Sequence, residues 1–155
     1  MTEIKEMVKI LAEKHGRERG ALMPILQAVV EKQNFLSEEA MTEIARQLDI
    51  SAAQVYGTAS FYSFLDIKPR GKYVIRVCKS IIAEMKGKKE ILKTLENSLK
   101  IKVGQTTPDR MFSLLETNDI GWSDQEPSLL INETPYTNLT SEKIINIIHE
   151  YRSKN

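Results

Sequence analysis

The sequence predicts an α+β protein in two parts: an N-terminal helical bundle, then a small sheet with helices packed against it. Three observations carry that prediction. Up to about residue 65 the apolar residues recur at the spacing of an amphipathic helix. At "DIKPRGK", residues 66–72, Pro69 and Gly71 interrupt the pattern and the composition changes. Beyond it come short β-branched or alternating runs, YVIRVC at 73–78, FSLLET at 112–117 and LLINET at 129–134, which read as strands. The expected domains are residues 1–66 and 71–155, with 66–72 as the linker.

The elements follow in order. Residues 3–15 place Ile4, Met7, Val8 and Leu11 on one helical face, with Thr2 in position to cap it. Gly16 and Gly20 end that helix. Residues 21–33 repeat the pattern with Leu22, Ile25, Leu26, Val29 and Val30, and Pro24 falls in the first turn, where its missing N–H costs little. Ser37 caps a third helix whose inward stripe is Met41, Ile44 and Leu48, and Glu38 and Glu39 sit near its positive end. "SAAQ" at 51–54 reads as a capping box that opens a fourth helix running to about Tyr62.

After the linker and the 73–78 strand, residues 87–99 suit a helix with Ile91, Leu92, Leu95 and Leu99 inward. The basic run KGKKE at its start reads as solvated. Strands follow at 112–117 and 129–134, with a short fourth at 135–139 after a tight turn. Thr140 or Ser141 then caps a last helix through Ile144, Ile145, Ile147 and Ile148.

Bulk properties bound the function. The chain has 155 residues, 41% hydrophobic and 28% charged, with a formal net charge of +1. A single core or two small ones are possible at this length without disulfides, and no overall charge draws the chain to nucleic acid or an anionic membrane. The start, MTEIKEMVKILAEKHGRERG, has no uncharged apolar core, so no secretory signal is expected. No apolar stretch approaches the roughly 20 residues of a spanning helix. One cysteine forms no internal disulfide and points to a reducing compartment. The expectation is a cytoplasmic protein with no membrane insertion.

That cysteine, Cys78, ends the first strand just where a loop should begin, a position that exposes sulfur and free N–H groups. Three stretches around it are distinctive: "QVYGTASFYSF" within 22–65, "GKYVIRVCKS" at 71–80, and the run from "GQTTPD" to "LINETPYTNLTSEKI" within 103–148. Together they resemble the small thioredoxin-like iron–sulfur subunit of the NADH-dehydrogenase module of respiratory complex I. Relatives occur in NAD-linked hydrogenases, formate dehydrogenases and electron-bifurcating complexes. The resemblance covers nearly the whole chain, and it implies that the second part is a thioredoxin-like ferredoxin domain.

The resemblance also implies a ligand set. The family holds a 2Fe–2S cluster with four cysteines, C-x4-C after the first strand and C-x3-C after the second, two thiolates to each iron. Here those positions fall on Cys78, Ala83, Asp119 and Ser123. Gly121 keeps the family's glycine, Trp122 stands where a small residue is usual, and Arg110 stands where the "TTPD" turn usually ends in glycine. One thiolate does not hold the cluster, and oxygen donors suit it poorly. Cys78 therefore reads as the remnant of a cluster site. No cofactor, catalytic residue or metal is expected in this chain, since Asp119 and Ser123 offer too few oxygens for a hard cation.

The implied function is a non-redox accessory subunit of a multi-subunit NAD(H)-dependent flavin/iron–sulfur oxidoreductase, electron bifurcation being its natural setting. The implied partner is the flavoprotein subunit that oxidises NADH, with FMN and further iron–sulfur clusters in partner chains. The aromatic group Tyr56, Phe61, Tyr62 and Phe64 is the expected partner contact. Two alternatives have specific supports: an electron-transfer subunit whose cluster uses unconventional ligands, and a helix-turn-helix DNA-binding module spanning "EIARQLDISAAQVYGTASFY". The second is disfavoured because residues 51–63 contain no Lys or Arg to reach phosphate. A thioredoxin-type redox pair lacks its second thiol. Cys78 also reads as a plain buried side chain, His15 and His149 as surface residues, and Trp122 as packing.

Overall fold

The computed structural model describes residues 2–154, and the side chain of Thr2, expected to cap the first helix, lies outside the described residues. The chain divides into two compact units, Met1–Arg70 and Gly71–Asn155.

The first unit holds four α-helices: α1 (Thr2–His15), α2 (Leu22–Gln33), α3 (Glu38–Leu48) and α4 (Ala52–Phe61). Their starts are written locally. The Ser37 hydroxyl accepts from the Ala40 N–H, and Ser51 and Gln54 form a complete capping box, each cap contributing about 1 kcal/mol. α2 and α3 end on left-handed residues, Asn34 and Asp49, a common helix stop. The apolar stripes meet in one core: Val8, Leu11, Ile25, Leu26, Val29, Ile44, Leu48 and Val55 are all buried. The expected linker is fastened rather than loose at its start. The Leu36 N–H donates to the Asp66 carbonyl, and the buried Asp66 carboxylate accepts from Arg70 Nε at 3.0 Å.

The second unit runs β1 (Tyr73–Cys78), α5 (Ile81–Met85), α6 (Lys88–Leu99), β2 (Phe112–Thr117), β3 (Leu129–Ile131), β4 (Thr134–Tyr136) and α7 (Ser141–Ser153). The sheet order is β2-β1-β3-β4. β1 pairs parallel with β2, Cys78 opposite Thr117, and antiparallel with β3, which pairs antiparallel with β4. The residues before β2 double back along it, with Thr106 bridged to Ser113 and the Gly104 N–H donating to Leu114. Ile75, Val77, Leu95, Phe112, Leu114, Leu129, Ile131, Ile144 and Ile148 form the buried core, each worth about 1.5–3 kcal/mol by burial.

Several expectations need correction. The strand placed at 129–134 stops at Ile131, because Asn132 turns left-handed and Glu133 completes a two-residue hairpin turn. The fourth strand is accordingly 134–136, not 135–139. α5 was not expected; it is too short to show a period, and Ile81 and Met85 are exposed. The basic run before α6 is only partly solvated: Lys88 is 4% exposed and salt-bridged to Glu84 and Glu116. The α7 stripe is also narrower than expected, since Ile145 is exposed.

Two backbone points shape the unit. A Cβ on Gly71 would lie 2.9 Å from the Phe112 backbone C and N, so only glycine fits where the chain enters β1. Arg110 adopts the left-handed conformation that favours glycine, φ +56°, and the turn before β2 closes through Arg110 N–H to the Thr107 carbonyl. The arginine thus leaves that turn's hydrogen bonding in place.

Candidate functional site

The site is built at one end of β1. Cys78 is the last residue of that strand, and its side chain is fully buried. Backbone hydrogen bonds hold it on both sides: the Cys78 N–H donates to the Ser128 carbonyl at 3.0 Å, and the Lys79 N–H to the Thr117 carbonyl at 2.7 Å. The chain then turns into α5, which the Ser80 hydroxyl caps by accepting from the Ala83 N–H. Ala83 is buried in α5 and brings no donor atom.

The opposite wall is the loop from 118 to 128. Asp119 folds it back on itself. One carboxylate oxygen accepts from the Gly121 N–H at 2.8 Å, the other from the Ser123 hydroxyl at 2.8 Å. Gly121 takes a left-handed φ of +88°, which lets the loop close this way. Those two donors hold the Asp119 carboxyl below its ordinary pKa, the Gly121 N–H first.

The same loop ends at Glu126, joined to Pro127 by a cis peptide bond. Glu126 is 4% exposed; one oxygen accepts from the Ser128 hydroxyl at 2.9 Å, and Oε1 has no hydrogen-bond donor. Donor atoms of Cys78, Asp119 and Glu126 all lie within 4.8 Å of one another. Burial, and next the Glu126 carboxylate, push the Cys78 thiol above its ordinary pKa, over the opposing effects of the Ser80 hydroxyl and the Ile120 N–H. The thiol is therefore neutral at pH 7, the opposite of an activated nucleophile.

Of the four positions matched to cluster ligands, the fold gathers Cys78, Asp119 and, through its hydrogen bond to Asp119, Ser123. Trp122 keeps 37% of its surface exposed. Glu126 is the residue that the sequence pattern does not reveal. Its only local signal is a charged side chain directly before a proline and a strand; its burial comes from the loop closing on β1. The donor set does not fit a 2Fe–2S core. Such a core takes two donors to each iron, with cysteine thiolate at least at two of the four places, and here one thiol faces two carboxylates.

The aromatic group of the first unit is not core. Tyr56, Phe61, Tyr62 and Phe64 are all exposed, Phe61 by 79%, and Phe61 and Tyr62 meet edge to face at 5.0 Å between centroids. In the second unit Ile81, Ile82 and Met85 of α5 are exposed as well, a feature that the sequence pattern does not announce. His15 and His149 are at the surface. No helix among the described residues is long and apolar enough to cross a membrane.

Comparisons with known proteins agree on one group. The family model described as thioredoxin-like [2Fe-2S] ferredoxin matches residues 7–152. An NADH-quinone oxidoreductase subunit of Buchnera aphidicola subsp. Acyrthosiphon pisum is 39% identical over 134 residues, covering 86% of this chain and 83% of that one. The alpha subunit of the NAD-reducing hydrogenase HoxS of Cupriavidus necator is 34% identical over 145 residues, covering 94% of this chain but 24% of that longer one. A crystal structure of an NAD+-reducing [NiFe]-hydrogenase in the air-oxidized state superposes with a TM-score of 0.73 at 26% identity, covering 83% of this chain and 23% of that one.

Proposed function

This chain belongs to the thioredoxin-like [2Fe-2S] ferredoxin family, and on that premise we propose that it is a non-redox accessory subunit of a multi-subunit NAD(H)-dependent flavin/iron–sulfur oxidoreductase in the cytoplasm. The observation that carries the reading is the donor set at the end of β1. The four places that the family gives to thiolates hold one neutral thiol, one carboxylate, one hydroxyl and one alanine, and the Glu126 carboxylate lies beside them. Electrons leaving the flavin of the partner flavoprotein then travel through clusters in other chains, and this chain serves as scaffold. An acceptor missing beside a flavin also removes a route for stray electrons. That matters most where one enzyme divides electrons between two paths, so an electron-bifurcating complex is the setting this reading favours.

The contact with the flavoprotein is assigned to Tyr56, Phe61, Tyr62 and Phe64. Exposed aromatics grouped on a small helical unit fit a protein interface better than solvent, and such residues commonly cost about 2 kcal/mol or more when truncated. The test has two arms. Native purification identifies the companion chains, and a flavoprotein with NADH-oxidising activity is the expected one. Anaerobic incubation of the full chain with iron and sulfide tests the site, and no stable 2Fe–2S absorption or EPR signal is expected. A stoichiometric cluster would revive the second reading, an electron carrier with carboxylate ligands, for which the closeness of Asp119 and Glu126 to Cys78 is the support. In the assembled complex, Phe61→Ala with Tyr62→Ala should reduce co-purification; undiminished recovery places the contact elsewhere.

A further inference from the structure

The family's ligand positions, as the resemblance implies them, bring two oxygen donors near Cys78, from Asp119 and Ser123, too few for a cation. The fold adds a third group. Glu126 brings a carboxylate that is 4% exposed, leaves Oε1 without a donor, and lies within 4.8 Å of both the Cys78 sulfur and an Asp119 oxygen. A buried acceptor without a partner marks a position where something else is expected, and two carboxylates that converge with a thiol on one point favour a cation there.

We propose that Cys78, Asp119 and Glu126 form a binding site for a single divalent transition-metal cation of the Zn2+ class. The sulfur selects against Mg2+ and Ca2+, which take oxygen donors in sixfold or higher coordination. Ligands around tetrahedral Zn2+ lie about 3.5 Å apart, so the three donors need to close by only about 1 Å. Asp119 is already oriented for this. The Gly121 N–H and the Ser123 hydroxyl each occupy one of its oxygens, and each oxygen keeps a lone pair for a metal. Such outer hydrogen bonds hold metal-bound carboxylates in place. Because Asp119 is at the surface, the fourth position is open to water. On binding, a metal–sulfur bond forms, the thiol proton leaves to solvent, and no electron is transferred. The burial that keeps the thiol neutral is then offset by the cation's own charge. The cation ties the end of β1 to the 118–128 loop.

This site stands independently of the subunit reading and is tested on the full chain alone. Under anaerobic conditions with a non-chelating reductant, Co2+ should bind one to one and give a near-ultraviolet thiolate-to-cobalt charge-transfer band, and Zn2+ should displace it. Cys78→Ser should abolish the band. Glu126→Gln, close to isosteric, and Asp119→Asn, at an exposed position, should keep the circular dichroism of the parent and weaken Co2+ binding by at least about tenfold. Absence of the band at one equivalent of Co2+, its persistence in Cys78→Ser, or unchanged affinity in both carboxamide variants overturns the proposal. None of these results bears on which chains co-purify, so failure here and failure of the subunit reading are separable.

Discussion

Changing Ala83, Asp119 and Ser123 to Cys recreates a four-thiolate spacing around Cys78, but the geometry predicts that this is not enough. Glu126 would remain with its carboxylate within 4.8 Å of the sulfur. At an effective dielectric of about 20, one negative charge at that separation opposes each further unit of negative charge by about 3.5 kcal/mol, a factor of several hundred in retention. A cluster with four thiolates is anionic, so the triple variant should load iron poorly and lose it readily to a chelator. Adding Glu126→Ala should raise the chelator concentration needed for half-loss by about two orders of magnitude. Trp122→Ala, in contrast, should matter little, because that indole is already 37% exposed. The assay is anaerobic reconstitution followed by iron and sulfide analysis, visible absorption and EPR of the reduced protein. If the triple variant holds its cluster as well as the quadruple one, Glu126 does not occupy the ligand volume. If Trp122→Ala rescues and Glu126→Ala does not, the obstacle has been misplaced.

Other perturbations test the fold around the site. Gly71→Ala sets a Cβ 2.9 Å from the backbone of Phe112; since backbone does not swing aside, a loss of about 3 kcal/mol is expected, read by urea unfolding. Arg110→Gly relieves a left-handed residue and should stabilise the second unit by up to about 1 kcal/mol; a lower melting temperature would contradict this. Lys88→Ala leaves Glu84 and Glu116 without their shared ammonium and should cost about 3 kcal/mol, at the low end for a broken buried pair because both carboxylates keep some water. Glu84→Gln, on the exposed side of that pair, should cost under about 1 kcal/mol by the same measurement.

The contrast between what the residues announced and what they hid has physical grounds. Helix starts at Ser37, Ser51 and Thr140 were legible because a cap is a contact across three residues. The buried stripes of α2, α3 and α6 were legible because one face of each packs on one core. The extent of β3 was not, since LLINET ends on the β-branched Thr134, beyond the turn that Asn132 makes. α5 stayed hidden because five residues with an exposed apolar face have no period to detect. Lys88 looked solvated because its partner Glu116 is distant in the chain. At the site, Cys78, Ala83, Asp119 and Ser123 could be lined up through the resemblance to the family's ligand spacing. Glu126 could not, because its meaning depends on a loop returning to the end of β1, a tertiary event with no local signature.

The sheet order β2-β1-β3-β4 has a consequence for how anything can attach to the second unit. An open sheet normally offers two flanks of unpaired N–H and C=O groups, to which a foreign strand can add by main-chain hydrogen bonding. Here neither flank is hospitable. Outside β2, the returning segment already answers it: the Gly104 N–H donates to Leu114, the Leu114 N–H to Gln105 and the Thr107 N–H to Phe112. Outside β3 lies only β4, three residues long with Pro135 at its middle, and proline has no N–H to offer an incoming chain. Strand addition, with its indifference to side-chain identity, is hindered on both sides. Whatever docks on this unit must recognise side chains, and a single surface substitution can therefore decide whether it docks at all.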